Sequence, residues 1–237
     1  KAASIPGIVT AGSPNVAVRC PDHPVALELI RTFGKPLVGP SANPSGRISP
    51  TAAAHVQSYF APQQVMVLEG GACRAGIEST VVSIVDPLRP IILRPGVIAA
   101  AQLEQVLKVP VASETSSPRD GGGGPLAGPG MLPVHYAPVT PAMLASAPEV
   151  AQMAAKATPR LAILAIAQPP VIARGHELIK MGTDAPTYAR NLYAALMRAD
   201  AAHCDLIVVE RPPMQDGDPL WVAVLDRLNR ATSPKVG

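Results

Sequence analysis

Residues 35–51 read KPLVGPSANPSGRISPT. Leu37-Val38 is a short apolar run, which predicts the end of a strand. Gly39 to Ser49 is a loop of small, polar, Pro and Gly residues. Ser49-Pro50-Thr51 is a helix-start signal, with serine at the cap and proline at the first helical position, so a helix is predicted over 49–59. A strand that empties into a polar loop ahead of a helix is an α/β unit. It is also a common way to hold an anion or a nucleotide, because loop hydroxyls, amides and free backbone N–H groups meet the positive end of the helix dipole. Ser41, Asn43, Ser45, Arg47 and Ser49 fall within nine positions and can converge on one ligand. A plain polar surface loop fits the same pattern.

Working outward, Asn15 to Cys20 (NVAVRC) alternates and is predicted as a strand, with Val16 and Val18 on one face and Asn15, Ala17 and Arg19 on the other. Asp22 is predicted to cap a helix with Pro24 in its first turn, a stripe of Ala26, Leu27, Leu29, Ile30 and Phe33, and Gly34 as its stop. Val65–Leu68, Ser79–Val85 and Ile91–Arg94 read as further strands and Ala99–Leu107 as a helix. Ser113 to Gly130 (SETSSPRDGGGGPLAGPG) is a break in composition and reads as a linker or loop. Its glycine run is no phosphate-binding P-loop, since it lacks the G-K-[ST] ending and no strand leads into it. Beyond it, Leu161–Ile166 and Leu206–Val209 are predicted buried strands, and Thr187–Ala199 and Pro219–Asn229 are predicted helices. That order predicts a small parallel three-layer unit.

Composition sets the limits. The 237 residues suffice for one large or two modest domains, and 48% hydrophobic against 16% charged residues can build a real core. Only 3% are aromatic, so that core is mostly Ala, Val, Leu and Ile. The 28 prolines point to many loops and segmented elements. A net charge of +3 without any Lys/Arg run does not argue for nucleic acid. Cys20, Cys73 and Cys204 are far apart and form no C-x-x-C pair, so neither a disulfide framework nor a zinc site is expected, and a reducing cytoplasm is. No stretch approaches a membrane span, and the start, KAASIPGIVTAGSP, has neither an initiator Met nor the apolar core of a signal peptide.

Four ordered strings then resemble one family. VAVRCPDHPVALELIRTFGKPLVGPSANPSGRISPT, GIESTVVSI from Gly76 to Ile84, ILRPG from Ile92 to Gly96, and GPGMLPVHYAP from Gly128 to Pro138 are similar to the YrdC-like threonylcarbamoyl-AMP synthases. The last string and the residues C-terminal to it resemble the long, two-domain form. The resemblance implies an α/β (α+β) fold, with a twisted mixed-sheet YrdC-like domain joined by a Pro/Gly linker to a small Rossmann-like three-layer domain. Residues 1–112 would be the C-terminal part of the catalytic domain, 113–140 a linker closing over the active site, and 141–237 an accessory domain. The family's domain opens with a threonine-binding segment and a basic Lys-x-Arg motif, and nothing before Asn15 matches either. An N-terminally truncated fragment with little turnover of its own is therefore expected.

The resemblance also implies the chemistry: L-threonine, bicarbonate and ATP condense to threonylcarbamoyl-AMP and pyrophosphate. Transfer proteins then pass the threonylcarbamoyl group to tRNA. Arg19, Gly39 and Ser79 would bind L-threonine, and Asn15, Ser41, Asn43, Ser49, Arg94 and Tyr136 would bind ATP. A guanidinium such as Arg19 grips a carboxylate with two parallel hydrogen bonds, although a strand-end salt bridge fits it equally. Ser49 as a plain cap, Ser79 as a strand-start serine bonding a turn, and Tyr136 as an anchor docking the linker are the structural alternatives. No residue is assigned as acid, base or nucleophile: GIEST is not G-x-S-x-G, and no histidine pairs with its serine. No protein metal site is expected, since His135 has no His or Cys partner nearby in sequence; Mg2+ would arrive through the ATP phosphates. Two other readings remain open. One is an RNA-binding YrdC-like module, which the mild charge and few aromatics oppose. The other is a carbamoyl-transfer enzyme of the hydrogenase-maturation type, opposed by the HYAP string, the second α/β domain and the absence of zinc-finger cysteines.

Overall fold

Extended backbone becomes a strand only where a neighbour pairs with it, and this separates the two parts of the computed structural model. It describes residues 2–113, 136–214 and 217–233. In the first part a short 3-10 turn, Gly7–Thr10, precedes helices α1 (Pro24–Phe33) and α2 (Ala53–Tyr59). Strands β1 (Val81–Ser83) and β2 (Ile91–Arg94), helix α3 (Ala100–Leu107) and strand β3 (Ala112–Ser113) come next. The sheet order is β1-β2-β3, with β1 antiparallel and β3 parallel to β2, and the register slips between Val81 and Val82.

Three predicted strands are not strands: 15–20, 37–38 and 65–68 run as irregular backbone. Their alternating apolar residues find no cross-strand partner among the described residues, and Val18 is 88% and Met66 86% exposed. Helix α1 forms where its stripe predicts and stops at Gly34, whose φ of 72° suits glycine. Its cap position is His23, not Asp22; Asp22 instead pairs with Arg74. Helix α2 starts four residues later than predicted, with Ala52 as its cap. Ser49 is therefore not a cap, and its buried hydroxyl turns inward. The N–H of Thr51 donates to His55 Nδ1 at 3.1 Å, closing the entry to α2 from within the helix.

The second part is built on a four-stranded sheet. Strand β4 (Ala142–Ala145) leads to α4 (Ala147–Ala154), β5 (Leu161–Ala165), β6 (Glu177–Lys180), α5 (Ala185–Ala201), β7 (Leu206–Glu210) and α6 (Pro219–Thr232). The order is β4-β7-β5-β6 and every neighbouring pair is parallel. Alternate residues face opposite sides of a strand, and both sides are covered here. Ala162, Leu164, Ile207 and Val209 pack in one cluster with α5 and α6, while Leu161, Ile163, Ala165 and Val208 pack in another with Val150 and Ala154 of α4. This is the predicted three-layer unit, with β4, α4 and β6 added. Side chains hold the helix starts: Glu149 reaches back to the Ser146 N–H (2.7 Å), and Asp184 and Asp218 accept from Thr187 N (2.8 Å) and Leu220 N (2.8 Å). Most of the 113–140 linker lies outside the described residues. No described helix is long and apolar enough to cross a membrane.

Candidate functional site

The string GIEST places a charged residue between Ile77 and Ser79, and the fold makes that residue the centre of a cluster. Gly76 has φ 75°, and a Cβ there would lie 2.3 Å from the Ala189 carbonyl oxygen and from Arg190 Cα. Only glycine lets the turn pass directly against the α5 backbone. Arg190 Nε donates to the Arg74 carbonyl at 3.1 Å, fastening the same turn. The chain then presents Glu78 inward. One carboxylate oxygen accepts from Ser49 Oγ at 2.7 Å; the other accepts from the Tyr193 hydroxyl at 2.8 Å and Arg227 Nε at 3.2 Å. The remaining arms of Arg227 donate to the Pro95 carbonyl (2.6 Å), the Glu78 carbonyl (3.3 Å) and Asp226 (3.1 Å). Arg227 is the fully buried partner of this ion pair, and a buried charge is held only when its polar atoms are paired, as those of Arg227 are here.

Around this centre stand four of the candidate ligands. Ser49 donates to Glu78. Ser79 follows Glu78 directly, and its carbonyl accepts Arg94 Nη2 at 2.9 Å and Nε at 3.2 Å. Arg94 is buried, only 4% exposed, and its guanidinium ties the end of β2 to the approach to β1. Tyr136 is buried beside Tyr193 with ring centroids 5.4 Å apart. Its φ of 63° lies in the left-handed region that non-glycine residues seldom adopt. The adjoining Ala137 N–H donates to the Gly46 carbonyl at 2.9 Å, and the Asp200 carboxylate accepts from Val139 N (2.9 Å) and Thr140 N (2.8 Å). Asp200 also pairs with Arg47 at 3.7 Å. The end of the predicted linker is thus docked between the polar loop and α5. Asn43 stiffens that loop, donating to the Pro44 and Arg47 carbonyls at 2.9 and 3.1 Å.

Electrostatics follow from burial. Burial pushes the Tyr193 and Tyr136 hydroxyls up, and Glu78 pushes both further, so both stay protonated and Tyr193 donates to Glu78. Burial alone would lower Arg227, but Tyr193, Glu78 and Asp226 together raise it. Burial lowers Arg94, opposed in part by Tyr136 and Glu78.

Asn15, Arg19, Gly39 and Ser41 stand apart from the cluster and are exposed. Asn15 donates its backbone N–H to Ser13 Oγ at 3.2 Å, and no described side chain pairs with Arg19 or Ser41. Two surface grooves, one lined by Pro24, Val25, Leu29 and Leu68 and one by Val56, Phe60 and Val65, contain no candidate ligand. Among the described residues no group of three His, Cys, Asp or Glu side chains is placed to hold a metal. Sequence reasoning missed Glu78, Tyr193 and Arg227. The signal for two of them was present: a glutamate inside GIESTVV, and an arginine between Val224 and Leu228 on an otherwise apolar helix face.

A mixed three-stranded sheet bearing serines and a buried arginine, joined to a parallel three-layer unit, defines a two-part α/β protein. Comparison places it more closely. Residues 1–96 match the Sua5–YciO–YrdC family model, described as telomere recombination, and residues 98–233 match the threonylcarbamoyl-AMP synthase C-terminal domain. The chain is 35% identical over 236 residues to a threonylcarbamoyl-AMP synthase of Bacillus subtilis, covering 96% of this chain and 66% of that protein. It is 30% identical over 249 residues to one of Pyrococcus abyssi, covering 100% and 69%. The crystal structure of P. abyssi Sua5 complexed with L-threonine matches with a TM-score of 0.81 at 28% identity, covering 98% of this chain and 68% of that one. A variant of that protein with a neighbouring His and Tyr changed to Ala matches with a TM-score of 0.77 at 27% identity, covering 98% and 66%. The chain belongs to the threonylcarbamoyl-AMP synthase family and spans about two thirds of these relatives' length.

Proposed function

We propose that this chain carries part of the substrate site of an L-threonylcarbamoyladenylate synthase. The observation that carries the reading is the pair of family matches in order along the chain, together with the likeness to a relative solved with L-threonine. In the proposed reaction the threonine amine and bicarbonate give a carbamate with loss of water. A carbamate oxygen attacks the ATP α-phosphorus in line, and pyrophosphate leaves, which is nucleotidyl transfer. The protein's part is positioning and charge stabilisation, with no covalent intermediate on a side chain.

Arg19, Gly39 and Ser79 bind threonine in this reading, and Asn15, Ser41, Asn43, Ser49, Arg94 and Tyr136 face ATP. The joining of Ser49, Ser79, Arg94 and Tyr136 around Glu78 supports the grouping. It also refines two roles. With its proton donated to Glu78, Ser49 offers lone pairs and meets a ligand donor rather than a phosphate oxygen. Arg94, braced on the Ser79 carbonyl, ties the threonine and nucleotide sides together. The chain's one adjacent His-Tyr pair is His135-Tyr136, of which Tyr136 packs against Tyr193. In this reading Mg2+ arrives with ATP, held through its phosphates. The product serves tRNA threonylcarbamoyladenosine modification through transfer proteins. The cytoplasm is the proposed compartment, in keeping with three free cysteines.

The test is pyrophosphate release from ATP by the full-length protein bearing this sequence. Release that needs both L-threonine and bicarbonate is expected. Release without threonine, or none with both present, contradicts the reading.

A further inference from the structure

We propose that Arg227, on the last helix of the second part, is a positioning residue for the threonine side of the site in the first part. The inference rests on the reading of Ser79 as a threonine ligand. Arg227 is 0% exposed, and each arm of its guanidinium is engaged. Two arms grip backbone rather than side chain: Nη1 holds the Pro95 carbonyl and Nη2 holds the Glu78 carbonyl. These two residues flank Arg94 and Ser79, the pair already joined by the Arg94–Ser79 hydrogen bonds. One planar group on α6 therefore fixes the spacing between the end of β2 and the approach to β1.

That spacing has no slack. A Cβ on Gly96 would lie 2.3 Å from Thr80 N, 2.7 Å from the Ser79 carbonyl carbon and 2.8 Å from the Glu78 carbonyl oxygen. The third arm meets the Glu78 carboxylate, which Tyr193 of α5 holds from a second side and Ser49 from a third. Ser79 is exposed while Glu78 beside it is anchored, so the anchor sets the direction in which the Ser79 side chain leaves the backbone. Thr80 is held separately, its hydroxyl donating to the Ile98 carbonyl at 2.8 Å and accepting the Ile98 N–H at 3.1 Å. An ammonium cannot replace the Arg227 contacts, because a lysine reaches one point where the guanidinium fork reaches three.

The experiment compares Arg227→Lys and Tyr193→Phe with wild type in the full-length protein. Tyr193→Phe removes one hydroxyl and keeps the ring, so it preserves folding even if Arg227→Lys does not. Two readouts are taken. Amide hydrogen exchange at residues 79–81 is expected to quicken by about tenfold in Arg227→Lys, and several-fold in Tyr193→Phe, with exchange in β5 unchanged. L-threonine affinity is expected to fall by about tenfold in Arg227→Lys and less in Tyr193→Phe, with a smaller loss for ATP, because Arg94 keeps its own hydrogen bonds to the Ser79 carbonyl. Unchanged exchange at 79–81 in folded variants overturns the positioning role, as does an equal loss of threonine and ATP affinity. If wild type binds no threonine, the functional reading fails, and the exchange result alone then decides the positioning of residues 79–81.

Discussion

The two sheets of this chain treat their apolar residues differently. In the second part, β5 is buried along its whole length, and Leu164, Leu192, Leu196 and Leu228 are sealed from solvent. In the first part, neither α1 nor α2 has a buried residue, and Leu29, Phe33, Met66 and Leu68 face outward. An open groove of about 490 Å³ runs between α1 and Leu68. The amphipathic stripe of α1 is as well written as that of α5, so sequence pattern does not account for the contrast. What differs is whether a second layer is present to receive the stripe. The candidate site lies where the sparse part leans on the dense one, through Glu78, Arg227 and Tyr193.

Breaking that contact gives one of the largest expected effects. Arg227→Met leaves the partly buried Glu78 carboxylate with one tyrosine and one serine, and is expected to cost about 3 kcal/mol in denaturant unfolding, the low end for a buried pair. Next comes the contrast itself. Leu164→Ala, in the sealed core, is expected to cost about 2–5 kcal/mol by cavity formation. Leu29→Ala in this 237-residue chain is expected to stay within about 0.5 kcal/mol of wild type. Equal costs at the two sites would show that α1 is packed after all.

Smaller effects sharpen the same boundary. Ser49→Ala removes one donor from Glu78 while Tyr193 and Arg227 remain, and should cost about 1 kcal/mol by thermal unfolding. A change indistinguishable from zero would mean that solvent replaces the hydroxyl. His55 gives a pH signature confined to the first part. Burial lowers its pKa from the usual 6.5, and its Nδ1 accepts the Thr51 N–H. The unfolded chain therefore binds the proton more readily. The His55 contribution to stability is whole above pH 6.5 and is lost as pH falls through the lower folded value. Replacement by Gln should flatten that part of the stability profile, and an unchanged slope in the variant would remove His55 as its source.

Legibility in the sequence divides the same way. Strands β5 and β7 are readable as runs of Leu, Ile, Val and Ala because burial on both faces writes a continuous apolar word. Strands β6 (ELIK) and β4 (AMLA) are not, being short and half-covered at the sheet edges. Helix α4 carries a quieter signal in Ser146-x-x-Glu149 with Pro148, a capping box ahead of only two turns of helix. Over-reading falls in the first part, where 15–20, 37–38 and 65–68 have strand chemistry and no ladder. Alternation states what a segment can do, and pairing is a tertiary fact. At the site, the hydroxyls and Arg94 are legible as ligand chemistry. The hub is not, because Glu78 and Arg227 are 149 positions apart and only the fold brings them together.

That hub joins the two parts, and a double-mutant cycle tests it most directly. Glu78→Gln, Arg227→Met and the double variant are compared with wild type by denaturant unfolding. A coupling of about 2 kcal/mol or more between the two positions is expected, with the double variant recovering part of the loss. Additivity within about 0.5 kcal/mol would contradict this role, since the two parts would then be held together by something other than this ion pair.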